Sequence, residues 1–139
     1  MFYEPKKGNP FKIDPFKSLV FPRPIGWISS ISKNGIANLA PYSYFNAVAD
    51  EPPQVMFCSN GSSAHGKYKD SLSNILSTKE FVVNFVTSSL RNQMNISSRD
   101  FKPDEDEFYF SNLKKKKSKL IRVPSVKDSP VNLECKLVK

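Results

Sequence analysis

Between residues 25 and 32 apolar and polar side chains alternate enough for a strand. Ile25, Trp27 and Ser29 fall on one face, and Gly26, Ile28 and Ser30 on the other. Lys33-Asn34-Gly35 follows, and Asn-Gly between two strand-like runs is a hairpin signal because both residues tolerate positive φ. Residues 36–47 read as one long returning strand, with Pro41 implying a bulge or an edge because it cannot donate to a ladder. Glu51-Pro52-Pro53 makes a rigid turn before a third strand at 54–59. Residues 60–66 form a polar loop that holds His65. Helical spacing returns at 69–78, where Leu72, Ile75 and Leu76 mark one apolar stripe and Asp70 is placed to cap the first turn. A strand rich in Val and Phe is expected at 80–87. Ser88 or Ser89 then caps a short helix to about residue 97, with Leu90 and Met94 inward. Residues 98–128 read as largely irregular apart from a short strand at 108–110, and 131–138 as a last strand.

Residues 1–24 read as an extended lead-in, since Pro10, Pro15, Pro22 and Pro24 forbid a long helix there. The whole is mainly β, with two short helices and hairpin-like connections. A single domain over residues 1–139, built as a small antiparallel barrel, fits better than a parallel sheet. The sequence reaches Lys139 directly after a strand, and a barrel edge needs cover. A partner subunit or further chain is expected there.

Composition narrows the functional classes. The 139 residues include eleven Phe and are 39% hydrophobic, enough for one core without staples. No run approaches the ~20 apolar residues of a membrane span, because Asn84 interrupts the best stretch, Phe81 to Val86. The N-terminus lacks a signal-peptide core, so a soluble cytoplasmic protein without membrane association is expected. Net charge is +8, with Lys114 to Lys117 and Lys119 following an acidic run from Asp104 to Glu107. Such blocks read as solvated loops in preference to a nucleic-acid patch. A basic β-barrel binding nucleic acid remains an alternative. Cys58 and Cys135 both sit in apolar runs and read as buried, reduced thiols instead of a disulfide. One His and two Cys supply no metal-ligand spacing, so no metal site is expected.

No nucleophile–base constellation stands out: no G-x-S-x-G elbow surrounds Ser62 or Ser63, and His65 is alone in its loop. Neither a Walker loop nor a G-x-G-x-x-G occurs. Two regions are dense in chemistry. Asn38 to Asn46 combines amides and hydroxyls with aromatics around Pro41, which suits a planar ligand with a polar rim. An ordinary strand, aromatics inward and Ser and Asn outward, explains the same residues. Ser59-Asn60-Gly61-Ser62-Ser63, followed by Lys69-Asp70-Ser71, offers loop N–H groups, a helix start and a cation, as a phosphate site would.

These two regions, in this order, resemble the flavin-reductase-like family of FMN-binding split β-barrels. The matching residues are Arg23-Pro24-Ile25-Gly26-Trp27, Asn38-Leu39-Ala40-Pro41-Tyr42-Ser43-Tyr44-Phe45-Asn46 and Asp50-Glu51-Pro52-Pro53, then Lys69-Asp70-Ser71-Leu72, Asn74-Ile75 and Glu80-Phe81-Val82-Val83-Asn84. The resemblance implies a homodimer with non-covalent FMN near the interface. It places Ser43, Tyr44, Phe45 and Asn46 against the isoalloxazine and Asn38 at the flavin or its tail. Ser59, Asn60, Lys69 and Ser71 would hold the ribityl phosphate. It implies reduction of FMN by NADH or NADPH through hydride transfer to flavin N5, with no catalytic side chain required. Reduced flavin would serve a partner oxygenase or stay bound. A flavin-binding, electron-carrying module without reductase activity is the alternative. Members of this family continue past the strand corresponding to 131–138 with strands that close the barrel, so the chain is expected to be incomplete there.

Overall fold

The computed structural model describes residues 2–61 and 67–138. The expectations for Ser62, Ser63 and His65 lie outside the described residues. In chain order the elements begin with α1 (Pro15–Leu19), β1 (Gly26–Ile31), β2 (Ala37–Tyr42), β3 (Phe45–Asp50), β4 (Pro53–Phe57) and α2 (Asp70–Thr78). They continue with β5 (Glu80–Asn84), α3 (Arg91–Ile96), α4 (Glu107–Phe110), β6 (Lys115–Lys116), β7 (Ser125–Val126) and β8 (Asn132–Lys136). The fold is mainly β and antiparallel.

A four-stranded sheet in the order β2-β1-β5-β8 forms the centre. The β1–β2 hairpin turns at Gly35, whose φ of +85° is cheap only for glycine. β1 is buried on both faces, so one strand feeds two cores. Trp27 enters a cluster with Leu39, Leu90, Phe108 and Val126. Ile28 enters another with Tyr42, Ile75, Phe81 and Val83, roofed by Phe45, Val55 and Phe57 of the separate β3–β4 hairpin. α2 and the hairpin therefore cover one face of the sheet, and the 88–126 segment covers the other.

Polar side chains inside the sheet explain how an irregular segment can be buried. Ser29 Oγ donates to the Pro124 carbonyl at 2.7 Å, and Asn84 Oδ1 accepts from Val126 N at 2.8 Å. Buried backbone groups that lack a ladder must find such partners.

Several expectations change. The strand expected over 36–47 is two strands in different sheets, breaking at Ser43-Tyr44. Its cause lies across the sheet: Gly26 has no side chain, and the Phe45 ring fills that space as the chain folds over. Pro41 stays in register opposite Trp27 on edge strand β2, while the register shift falls in the β3–β4 ladder between Ala47 and Ala49. Residues 108–110 are helical, because Asp106 caps the Phe108 N–H at 3.0 Å. Lys69, not Asp70, is the N-cap residue of α2, and Leu76 points outward while Ile75 is buried.

The acidic run is not all solvated: Glu107 is 6% exposed. Part of the lysine run is also structured, since Lys115 and Lys116 form β6 and Lys115 pairs with Asp106. Cys58 is exposed instead of buried, and both cysteines are free. Burial pushes the half-buried Cys135 thiol up to about 11, which makes it a poor nucleophile.

Candidate functional site

β2 lies at the edge of the sheet, and its outer side faces the start of α2 and of α4. A polar cleft of about 250 Å³ opens there. Asn38 of β2, Lys69 and Ser71 at the start of α2, and Glu107 of α4 line it. The turn after α3 adds Ser97, Ser98 and Arg99. Lys69 and Arg99 bring positive charge from two separate elements, against Asp70, Asp100 and Glu107.

Asn38 and Ser71 are buried, at 6% and 1% exposure. One end of the Asn38 amide is 2.8 Å from Ser71 Oγ, and the other is 3.0 Å from Glu107 Oε1. Glu107 Oε2 accepts from the Leu39 N–H at 3.1 Å, satisfying the free edge of β2. Burial pushes the Glu107 carboxyl up to about 7, and the charges of Asp70 and Asp106 add to the rise; its own N–H and that of Leu39 pull it back. Burial also raises the Tyr42 hydroxyl, while the Ser71 and Ser59 hydroxyls favour its ionised form.

The cleft gathers three of the expected residues: Asn38, Lys69 and Ser71. Ser59 lies beside the Tyr42 hydroxyl, and its own buried Oγ has no well-formed hydrogen bond among the described residues. Residues 59–60 directly follow Cys58, whose N–H donates to the Tyr44 carbonyl at 2.9 Å at the start of the β3–β4 hairpin. The two groups therefore connect through Tyr42, a cleft residue. The side chains of this turn have neighbours within the chain itself. The Tyr44 ring sits between Phe16, with centroids 6.3 Å apart, and the Arg23 guanidinium, 5.3 Å from its centroid. Phe45 packs into the core, and Asn46 is exposed with its Oδ1 on the Ala47 N–H.

Sequence reasoning missed Glu107 and Arg99. Asp106 as an N-cap, with Glu107 in the first turn after it, was the available signal, obscured by three consecutive aromatics that look like a strand. Nothing local marks Arg99. Among the described residues, no group of His, Cys, Asp and Glu could hold a metal ion. Nor is any helix among them long and apolar enough to cross a membrane.

Residues 17–139 match the profile of the flavin reductase like domain. The chain belongs to that family. An uncharacterized protein from Aquifex aeolicus is 46% identical over 121 residues, covering 87% of this chain and 61% of that one. The uncharacterized protein YwrF of Bacillus subtilis is 34% identical, with 85% and 57% covered. This chain thus spans about 60% of the length of these relatives. Among solved structures, nitrilotriacetate monooxygenase component B from Bacillus cereus superposes with a TM-score of 0.88 at 32% identity, covering 100% of this chain and 68% of that one. A split barrel domain from Shewanella frigidimarina gives 0.82 at 21% identity, with 100% and 69% covered, which speaks for the fold alone. The sheet and hairpin described above are accordingly those of the split-barrel fold of the flavin reductase like family.

Proposed function

We propose that this chain is a flavin-binding oxidoreductase that holds FMN non-covalently and reduces it with NADH or NADPH. The observation that carries the reading is the convergence of Lys69, Ser71 and Asn38 with Arg99 in one polar cleft at the start of α2, in a chain of this family.

The donor set suits a phosphate: two cations, serine hydroxyls, and the positive end of a nine-residue helix. Complete small-molecule sites run from roughly 300 Å³ upward. The cleft, at about 250 Å³, therefore suits the phosphate and ribityl end, with the ring system beyond Tyr42 toward residues 43–46 and 59–60. The Ser59 hydroxyl, beside that of Tyr42, is a donor on that route. A flavin held there by Lys69, Ser71, Asn38 and Arg99 would supply the redox chemistry, as acceptor of hydride from a nicotinamide. The chain's part is to hold the phosphate by charge, orient the ring through the 43–46 turn, and exclude water. No side-chain acid or base is needed.

The reading includes a cytoplasmic homodimer with FMN near the interface. The β3–β4 hairpin leaves Val48 and Met56 exposed, at 54% and 45%, as a subunit contact would require. It also includes a partner oxygenase fed by reduced flavin, by analogy with the monooxygenase component it resembles. The test is an absorbance scan of purified protein for bound flavin, followed by anaerobic stopped-flow mixing with NADH and with NADPH. Bleaching is expected with one of them. Bound flavin that neither donor bleaches would leave an electron-carrying module, and no flavin binding would remove the proposal.

A further inference from the structure

Asn38, Ser71 and Glu107 come from β2, α2 and α4, and they meet in one chain of contacts. Glu107 Oε2 is occupied by the Leu39 N–H, so a proton on Glu107 belongs on Oε1, the oxygen 3.0 Å from Asn38. Two arrangements of hydrogens fit the same atoms. With Glu107 ionised, the Asn38 N–H₂ points at Oε1 and its oxygen accepts from Ser71 Oγ at 2.8 Å and from the Leu39 N–H at 3.0 Å. With Glu107 protonated, Oε1–H donates to the Asn38 oxygen. The amide is then turned and gives up the Leu39 N–H, which stays on Glu107 Oε2 at 3.1 Å; its N–H donates to Ser71 Oγ at 2.8 Å, and the Ser71 hydroxyl hydrogen is free to point at another acceptor.

We propose that Glu107 is a positioning residue: through Asn38 it sets whether Ser71 offers a donor to an anion in the cleft, so that binding the phosphate end of FMN takes up a proton at Glu107. The inference rests on the reading of the cleft as the FMN phosphate site. Both states are populated near neutral pH because burial holds this carboxyl at about 7. The titratable and charged groups around it are Asp70 of α2, Asp106 of its own helix, the neutral Tyr42 hydroxyl of β2, and Lys69, Arg99 and Asp100 along the cleft. A bound anion acts on Glu107 in the same direction as Asp70 and Asp106. The Ser71 relay adds to that direct charge effect, and the two can be separated.

The experiment measures FMN dissociation constants of the full chain from pH 6.5 to 8.5, above the second ionisation of phosphate near 6. Calorimetry in buffers of different ionisation heat counts the protons taken up. We expect FMN binding to weaken about tenfold across this range, with uptake approaching one proton. Glu107→Gln should remove the slope and keep the low-pH affinity, since its amide N–H stands where the protonated acid has O–H. Ser71→Ala should flatten the slope to the charge effect alone. An unchanged slope in either variant would overturn the proposal. NMR of the free protein gives a second readout, with the Asn38 side-chain amide titrating near pH 7 in the parent and not in Glu107→Gln. A flat Asn38 titration in a protein that binds FMN overturns the coupling alone, whereas no FMN binding at any pH removes the flavin reading as well.

Discussion

The ring of Phe45 lies so close to the Gly26 α-carbon that a β-carbon there would meet a ring carbon at 2.6 Å. This contact joins the central sheet to the β3–β4 hairpin at the point where the chain leaves β2. Gly26→Ala should therefore lower stability by about 1–3 kcal/mol, the usual cost of overpacking. Urea unfolding measures it. Combining the substitution with Phe45→Leu should recover part of the loss, because the two sites are coupled.

The cleft has a charge test. Lys69→Ala and Arg99→Ala each remove one of the cations lining it and should weaken FMN binding by about tenfold or more, as loss of a charged hydrogen bond does. Lys115, paired with Asp106 on the surface, is the control. Its alanine variant should bind FMN within about twofold of the parent, since exposed pairs contribute roughly 0–1 kcal/mol. Fluorescence titration of FMN distinguishes these outcomes, and equal dissociation constants for Lys69→Ala and Lys115→Ala would refute the placement of phosphate.

Stability should depend on pH through Glu107. Its carboxyl is raised from 4.5 to about 7 on folding, so the native state holds a proton that the unfolded chain has already released. The stability that this proton provides is complete below about pH 4.5 and is lost as pH rises through about 7. Glu107→Gln lacks this dependence. Above pH 7 it should exceed the parent by up to about 3 kcal/mol, and the difference should shrink on acidification. Urea unfolding at pH 5, 6, 7 and 8 checks the trend, and a constant difference would contradict it.

Trp27 Nε1 donates to Ser97 Oγ at 2.9 Å, and Ser97 donates onward to the Met94 carbonyl at 2.8 Å. Trp27→Phe keeps most of the apolar volume and removes that donor. A loss of about 1–2 kcal/mol is expected by thermal unfolding. Because Ser97 lines the cleft, FMN affinity should fall with it.

The strands of the central sheet were legible because period-two runs and the Asn34-Gly35 turn are local signals. Lys69 and Ser71 were readable together as a helix start, whereas Asn38 was linked to them only through the family resemblance; the three line one cleft. What stayed hidden depends on distant contacts. The break at Ser43 follows from the vacancy at Gly26, which no window around Ser43 contains. Glu107 reads as one more acid in a soluble run, and only its bond to Leu39, 68 positions away, makes it part of the interior. The Tyr44 ring is held by Phe16 and Arg23, from a lead-in whose prolines predict little beyond the absence of long helices.

Asn84 interrupts the most apolar run of the sequence, yet it is fully buried. Its amide donates to the Trp27 carbonyl and Ser29 Oγ, and its oxygen accepts from Val126 N and Asn132 Nδ2. One side chain thereby checks the alignment of four stretches of chain. Were β5 to slip by one residue, Asn84 would turn to the opposite face and each abandoned partner would cost roughly 1–3 kcal/mol. A polar residue at the end of an otherwise greasy strand works as a proofreading mark, separating the correct assembly from its near neighbours.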